Sequence, residues 1–94
     1  MNHTPDQIIF TGRKPSAAQI VAKAAAIAAR SSFIEVLWGE NWLQLDRYGD
    51  RWAGHGWIKD ISADSIAAEL NKRNARAQLA DFISERFIVR HIEA

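Results

Sequence analysis

Between Trp42 and Ile58 the chain reads WLQLDRY, then Gly-Asp, then RWAGHGWI. Two β-favouring runs joined by a glycine-led pair of residues predict a hairpin, because glycine supplies the positive φ that a two-residue turn needs at its first central position. A two-residue turn also sets the register. Tyr48 then faces Arg51, Arg47 faces Trp52, Leu45 faces Gly54, Gln44 faces His55, Leu43 faces Gly56, and Trp42 faces Trp57. Side chains alternate across a strand, so these pairs divide into two faces.

One face collects Leu43, Leu45, Gly54 and Gly56, with Arg47 and Trp52 near the turn. The leucines supply bulk, and the glycines leave a trough where a helix can approach closely. With a loop at Glu40–Asn41, the preceding strand Phe33 to Trp38 adds Ile34, Val36 and Trp38 to this face, which marks it as the core side. Arg47 opposite Trp52 is a candidate cation–π pair, worth about 0.5–1 kcal/mol when exposed.

The other face carries Trp42, Trp57, Gln44, His55, Asp46, Ala53, Tyr48 and Arg51, extended by Phe33, Glu35 and Leu37. The rings have structural uses as well as a functional one. A cross-strand tryptophan pair stabilises a hairpin by roughly 0.2–1 kcal/mol, and a helix on this side would bury both rings. The functional reading is a contact surface on a rigid sheet, with Trp, Tyr and Arg as anchors. Sequence alone leaves open whether Trp42 and Trp57 are exposed or covered.

The remaining segments predict a small α+β domain. Gln7 to Thr11 reads as a short strand closed by Gly12, after a frayed stretch over residues 1–6. Ser16-Ala17-Ala18-Gln19 is a capping box opening a helix over Ala17 to Arg30, whose buried face includes Ile20, Ala24, Ile27 and Ala28. Ile61, Ser62 and Ile66 stand at the N′, N-cap and N4 positions of a second helix that runs through Leu70. Asn71-Lys72-Arg73-Asn74 either interrupts it, with Asn74 capping a further helix over Ala75 to Glu85, or lies within one long helix. The segment Phe87 to Ile92 reads equally as strand or helix end. The expected order is β-α-β-β-β-α in one domain over residues 1–94, a mainly antiparallel sheet with helices on at least one face.

Several function classes lose ground. The chain has no cysteine, which removes disulfide scaffolds, thiolate metal sites and cysteine nucleophiles, and fits a reducing compartment. No apolar run reaches membrane-spanning length, and the first residues lack the layout of a signal peptide, so a cytoplasmic location is expected. The net charge of +1 argues against a dedicated duplex binder. His3, His55 and His91 lack zinc-ligand spacing, and Gly54-His55-Gly56 has no phosphate-loop lysine after it, so neither metal nor cofactor is expected.

Asp46 and His55 sit diagonally on one face, like the second half of a hydrolytic triad. The serines that would complete it are explained as caps or loop residues, so no catalytic role is assigned. Lys72, Arg73 and Arg76 form a basic cluster that reads as a solvated helix face, or alternatively as a phosphate-contacting stripe.

The expected function is a non-enzymatic binding module acting by protein–protein contact through Trp42, Trp57, Tyr48, His55, Arg51, Gln44 and Asp46. Accessory and inhibitor proteins of phages and plasmids, anti-CRISPR proteins among them, share this profile of size and type, with no motif behind the analogy. The alternative is weak single-stranded nucleic-acid binding by the aromatic sheet face together with the basic helix. An exposed edge strand would also support a homodimer.

Overall fold

The computed structural model describes residues 5–74. The elements run β1 (Asp6–Phe10), α1 (Ala17–Ala28), β2 (Phe33–Trp38), β3 (Asn41–Tyr48), β4 (Arg51–Ile58) and β5 (Ile61–Ser62), followed by α2, helical over residues 63–74. The five strands form one sheet in chain order. β1 is parallel to β2, a pairing that requires a crossover, which α1 supplies. All other neighbours are antiparallel, giving an α+β domain.

The hairpin follows from its turn. Gly49 has φ +66°, and β3 pairs with β4 in the register that the Gly-Asp turn dictates, from Tyr48–Arg51 to Trp42–Trp57. The β2–β3 loop is Gly39–Glu40, one residue earlier than Glu40–Asn41, so Trp38 pairs with Asn41. This slides the pairing by two positions along the partner strand. A slip of two leaves every side chain on its face, and Ile34 and Val36 stay in the core. β1 starts at Asp6, inside the stretch expected to fray, and ends at Phe10.

Both helices pack on the same side of the sheet. Ile20, Val21 and Ala24 of α1 and Ala63, Ile66, Ala67 and Leu70 of α2 meet Ile8, Ile34, Val36, Leu43, Leu45, Trp52 and Ile58 in one cluster. Gly54 decides how closely α2 seats. A Cβ at this position would stand 2.4 Å from the backbone carbonyl carbon and oxygen of Ala63. Gly56 has a different role from the one expected of it. Its φ is +93°, and a Cβ there would meet β3 backbone, the Trp42 carbonyl oxygen at 2.9 Å, rather than a helix.

Caps set the helix starts. Ser16 Oγ accepts from the Gln19 N–H at 3.1 Å while the Ser16 N–H donates to Gln19 Oε1 at 2.8 Å. At the start of α2, Ser62 Oγ accepts from the Ser65 N–H at 3.2 Å, with Ile61 and Ile66 buried on either side of the cap. α1 ends at Ala28, two residues short of Arg30. Arg47 lies against that end, donating from its guanidinium to the Ala28 carbonyl at 3.3 Å and to the Gly49 carbonyl at 2.9 Å. Cations suit a helix C-terminus, so Arg47, the cross-strand partner of Trp52, also ties the hairpin tip to α1.

α2 runs uninterrupted through Asn71–Asn74. In a hairpin with a two-residue turn, Arg47 and Trp52 form a non-hydrogen-bonded pair, so the N–H and C=O of Trp52 point away from β3. Asn71 takes both. Its Oδ1 accepts from the Trp52 N–H at 2.7 Å and its Nδ2 donates to the Trp52 carbonyl at 3.0 Å. One turn on, Asn74 Nδ2 donates to the Asp50 carbonyl at 3.3 Å. The expected helix over Ala75 to Glu85 and the segment Phe87 to Ile92 lie outside the described residues.

Three stability effects follow. Gly54→Val forces atoms into the Ala63 backbone, which cannot swing aside as a side chain can, and should cost roughly 3 kcal/mol in urea unfolding. Asn71→Ala should cost about 1–3 kcal/mol by leaving the Trp52 backbone unpaired, and Asn71→Asp should do no better, since a carboxylate has no donor for the Trp52 carbonyl. Lys14 donates to Asp60 and joins the β1–α1 loop to the β4–β5 turn. That hydrogen bond, with backbone donation at Asp60 and the Lys14 charge, holds the Asp60 carboxyl below the usual aspartate range. A lowered folded pKa contributes stability above the unfolded value, lost as pH falls through the folded one. Asp60→Asn should therefore lower the melting temperature slightly at neutral pH, with the difference from wild type fading in acid.

Candidate functional site

One-sided helix packing leaves the opposite face of the sheet without a helix among the described residues. The registers line up side chains across that face. Ile9 pairs with Leu37, Leu37 with Trp42, and Trp42 with Trp57, an apolar row spanning four strands. Ile9 is 64% exposed, Trp42 48% and Trp57 61%, whereas Trp52 on the core side is only 4% exposed. Trp38 also belongs to the core side. It is partly buried, and its indole N–H donates to the Gly12 carbonyl at 2.9 Å, holding the loop that leads into α1.

A polar row lies next to the apolar one. Gln7, Glu35, Gln44 and His55 are successive cross-strand partners, and Gln7 Nε2 donates to Glu35 Oε1 at 3.0 Å. Gln44 Nε2 donates to both Asp46 carboxylate oxygens at 3.1 Å. Nearer the turn come Phe33, Asp46 and Ala53, and then Tyr48 beside Arg51, with Tyr48 65% exposed. The sequence-predicted residues Trp42, Trp57, Tyr48, His55, Arg51, Gln44 and Asp46 therefore share one face.

His55 Nε2 and Asp46 Oδ2 are 3.8 Å apart, beyond hydrogen-bond length. The Asp46 carboxylate is oriented by the Gln44 amide instead. Ser16 and Ser62 cap helices, and Ser31 Oγ donates to the Phe33 carbonyl, so these hydroxyls have other duties. Among the described residues no three His, Asp or Glu side chains converge as metal ligands. No described helix is long and apolar enough to cross a membrane.

Lys72 and Arg73 do not join this surface. Lys72 and Arg73 are exposed on α2, in the helical layer on the other side of the sheet, with Lys72 Nζ 3.2 Å from Glu69 Oε1. Arg73 lines a groove between the helices with Val21 and Ile66. Arg76 lies outside the described residues. Sequence reasoning missed Ile9. The signal was there to use: a strand before a crossover helix pairs in parallel with the strand after it, and alternation then places Ile9 beside Leu37.

Searches of protein-family models, curated proteins and solved structures find no match to this chain. The site therefore rests on its own geometry.

That geometry separates the tryptophans by energy. Trp52→Ala removes a buried ring and should cost about 3–5 kcal/mol. Trp42→Ala and Trp57→Ala each remove one member of an exposed cross-strand pair and should cost no more than about 1 kcal/mol. Denaturant titration of the three variants checks the order.

Proposed function

We propose that this protein is a non-enzymatic binding module that engages a protein partner through the open face of its sheet. The supporting observation is the row Ile9–Leu37–Trp42–Trp57, exposed at Ile9, Trp42 and Trp57 and half-buried at Leu37, flanked by Gln44, Asp46 and His55 and ending at Tyr48 and Arg51 by the turn. An apolar centre with a polar rim is the usual build of a protein interface, and Trp, Tyr and Arg are its commonest anchors. A sheet backed by two packed helices offers these rings without the ordering cost that a flexible loop would carry.

Single-stranded nucleic acid is less well served. Stacking rings need cationic groups nearby to track phosphates. This face has Arg51 set against Glu35 and Asp46, while Lys72 and Arg73 point from the other layer. The reading extends to action by occlusion in the cytoplasm, in the manner of small accessory or inhibitor proteins. Its support is the absence of cysteine from the sequence and the contact-type surface.

The test compares affinity capture by wild type and by the Trp42→Ala/Trp57→Ala double variant from lysate of the native host, with and without nuclease. A protein should be retained by wild type as salt rises and after nuclease, and lost by a double variant that still folds. Capture that collapses with salt or nuclease would favour the nucleic-acid reading. Retention by the double variant would place the contact elsewhere.

A further inference from the structure

The two edges of the sheet differ. On the β4 side, β5 pairs with Trp57 and Ile58, Asn71 takes the outward backbone groups of Trp52, and Asn74 takes the Asp50 carbonyl. On the other side, among the described residues, β1 has β2 as its only strand neighbour and no backbone bond to its outer edge. Protected edges carry lysine, proline or a bulge. β1 reads DQIIF and pairs without a bulge, its one charge being Asp6 at the first position.

Beside this edge, β1 and the flank of α1 form an open groove of about 420 Å³. Ile8, Ala26 and Ile27 line it, with Lys23, Arg30 and Asp6 as its charged members. Among the described residues neither Lys23 nor Arg30 lies within ion-pair distance of a carboxylate. An unpaired strand edge next to a helix-walled groove is the layout used for strand addition, where backbone bonds supply affinity and alternate side chains supply specificity.

We infer that the β1 edge accepts an extended partner segment whose side chains alternate between apolar and acidic. Alternation follows from the pleat. A strand laid along β1 turns one set of side chains to the open face beside Ile9, where apolar groups prolong the row through Leu37, Trp42 and Trp57. The other set turns over the groove, where carboxylates meet Lys23 and Arg30. A second copy of this chain fits less well, because two β1 edges meeting about a dyad bring two Lys23 and two Arg30 together against only two Asp6. This edge is a contact surface beyond the tryptophan pair, with Ile9 common to both.

The experiment titrates a peptide of alternating valine and glutamate into the ¹⁵N-labelled full-length chain. Two control peptides replace glutamate with lysine, or carry N-methyl groups on alternate backbone nitrogens along the bonding edge. Amide shifts should fall on Asp6–Phe10 and on residues 23–30, and either control should bind at least about tenfold more weakly. Lys23→Glu with Arg30→Glu should weaken the glutamate peptide by about tenfold and admit the lysine peptide. Both side chains are exposed, so the double variant should fold, and its unchanged circular dichroism serves as the control. Equal binding of the glutamate and lysine peptides would overturn the inference, as would indifference to N-methylation or shifts confined to Trp42 and Trp57. Strong exchange protection, in the free protein, of those β1 amides that point away from β2 would also overturn it. In a monomer this would mean another part of the chain covers the edge, and in a concentration-dependent dimer that a second copy does.

Discussion

The close approach of Ala63 to Gly54 governs the arrangement of this molecule. With no Cβ on Gly54, the first turn of α2 sits directly on β4. The helix then lies on the side of the sheet already occupied by α1, and its small residues Ala63 and Ala67 let Ile66 and Leu70 reach the same core as Ile20 and Val21. Asn71 and Asn74 fasten the helix, three turns on, to the backbone of β4 and the adjoining turn. Among the described residues, placing both helices in one layer leaves the other face of the sheet to the tryptophan row. The exposed aromatics are thus a consequence of how the core is packed.

Local chemistry made much of this legible from sequence. The Gly49-Asp50 turn carried the β3–β4 register, and alternation sorted Trp38 and Trp52 from Trp42 and Trp57. The capping box at Ser16 and the cap at Ser62, with Ile61 and Ile66 about it, marked both helix starts. These features were readable because each is settled by residues adjacent in the chain. The β2–β3 loop was placed one residue late, yet the faces survived because the resulting slip was even.

The features that escaped depend on partners distant in sequence. Asn71 and Asn74 look like helix breakers when judged by propensity, since their side chains compete for local backbone bonds. In the fold those side chains are engaged by Trp52 and Asp50, some twenty residues away, and residues 71–74 stay helical. Arg47 stands opposite Trp52 as the turn dictates, but its bond to the Ala28 carbonyl joins residues nineteen apart and could not be read locally. Ile9 joined the aromatic row only once β1 was docked in parallel on β2. The basic residues of α2 seemed able to work with the rings until both helices were placed on the far side.

Whether the row Trp42–Trp57 faces solvent in the free protein can be measured by labelling the full chain with 5-fluorotryptophan and adding a soluble gadolinium chelate. The four indole signals are assigned from single Trp→Phe variants. Trp42 and Trp57 should broaden strongly, Trp52 should stay sharp, and Trp38, hydrogen-bonded to Gly12 and partly buried, should fall between them. If Trp42 and Trp57 were as protected as Trp52, the face would be covered in the free protein and the proposed contact surface would be wrong.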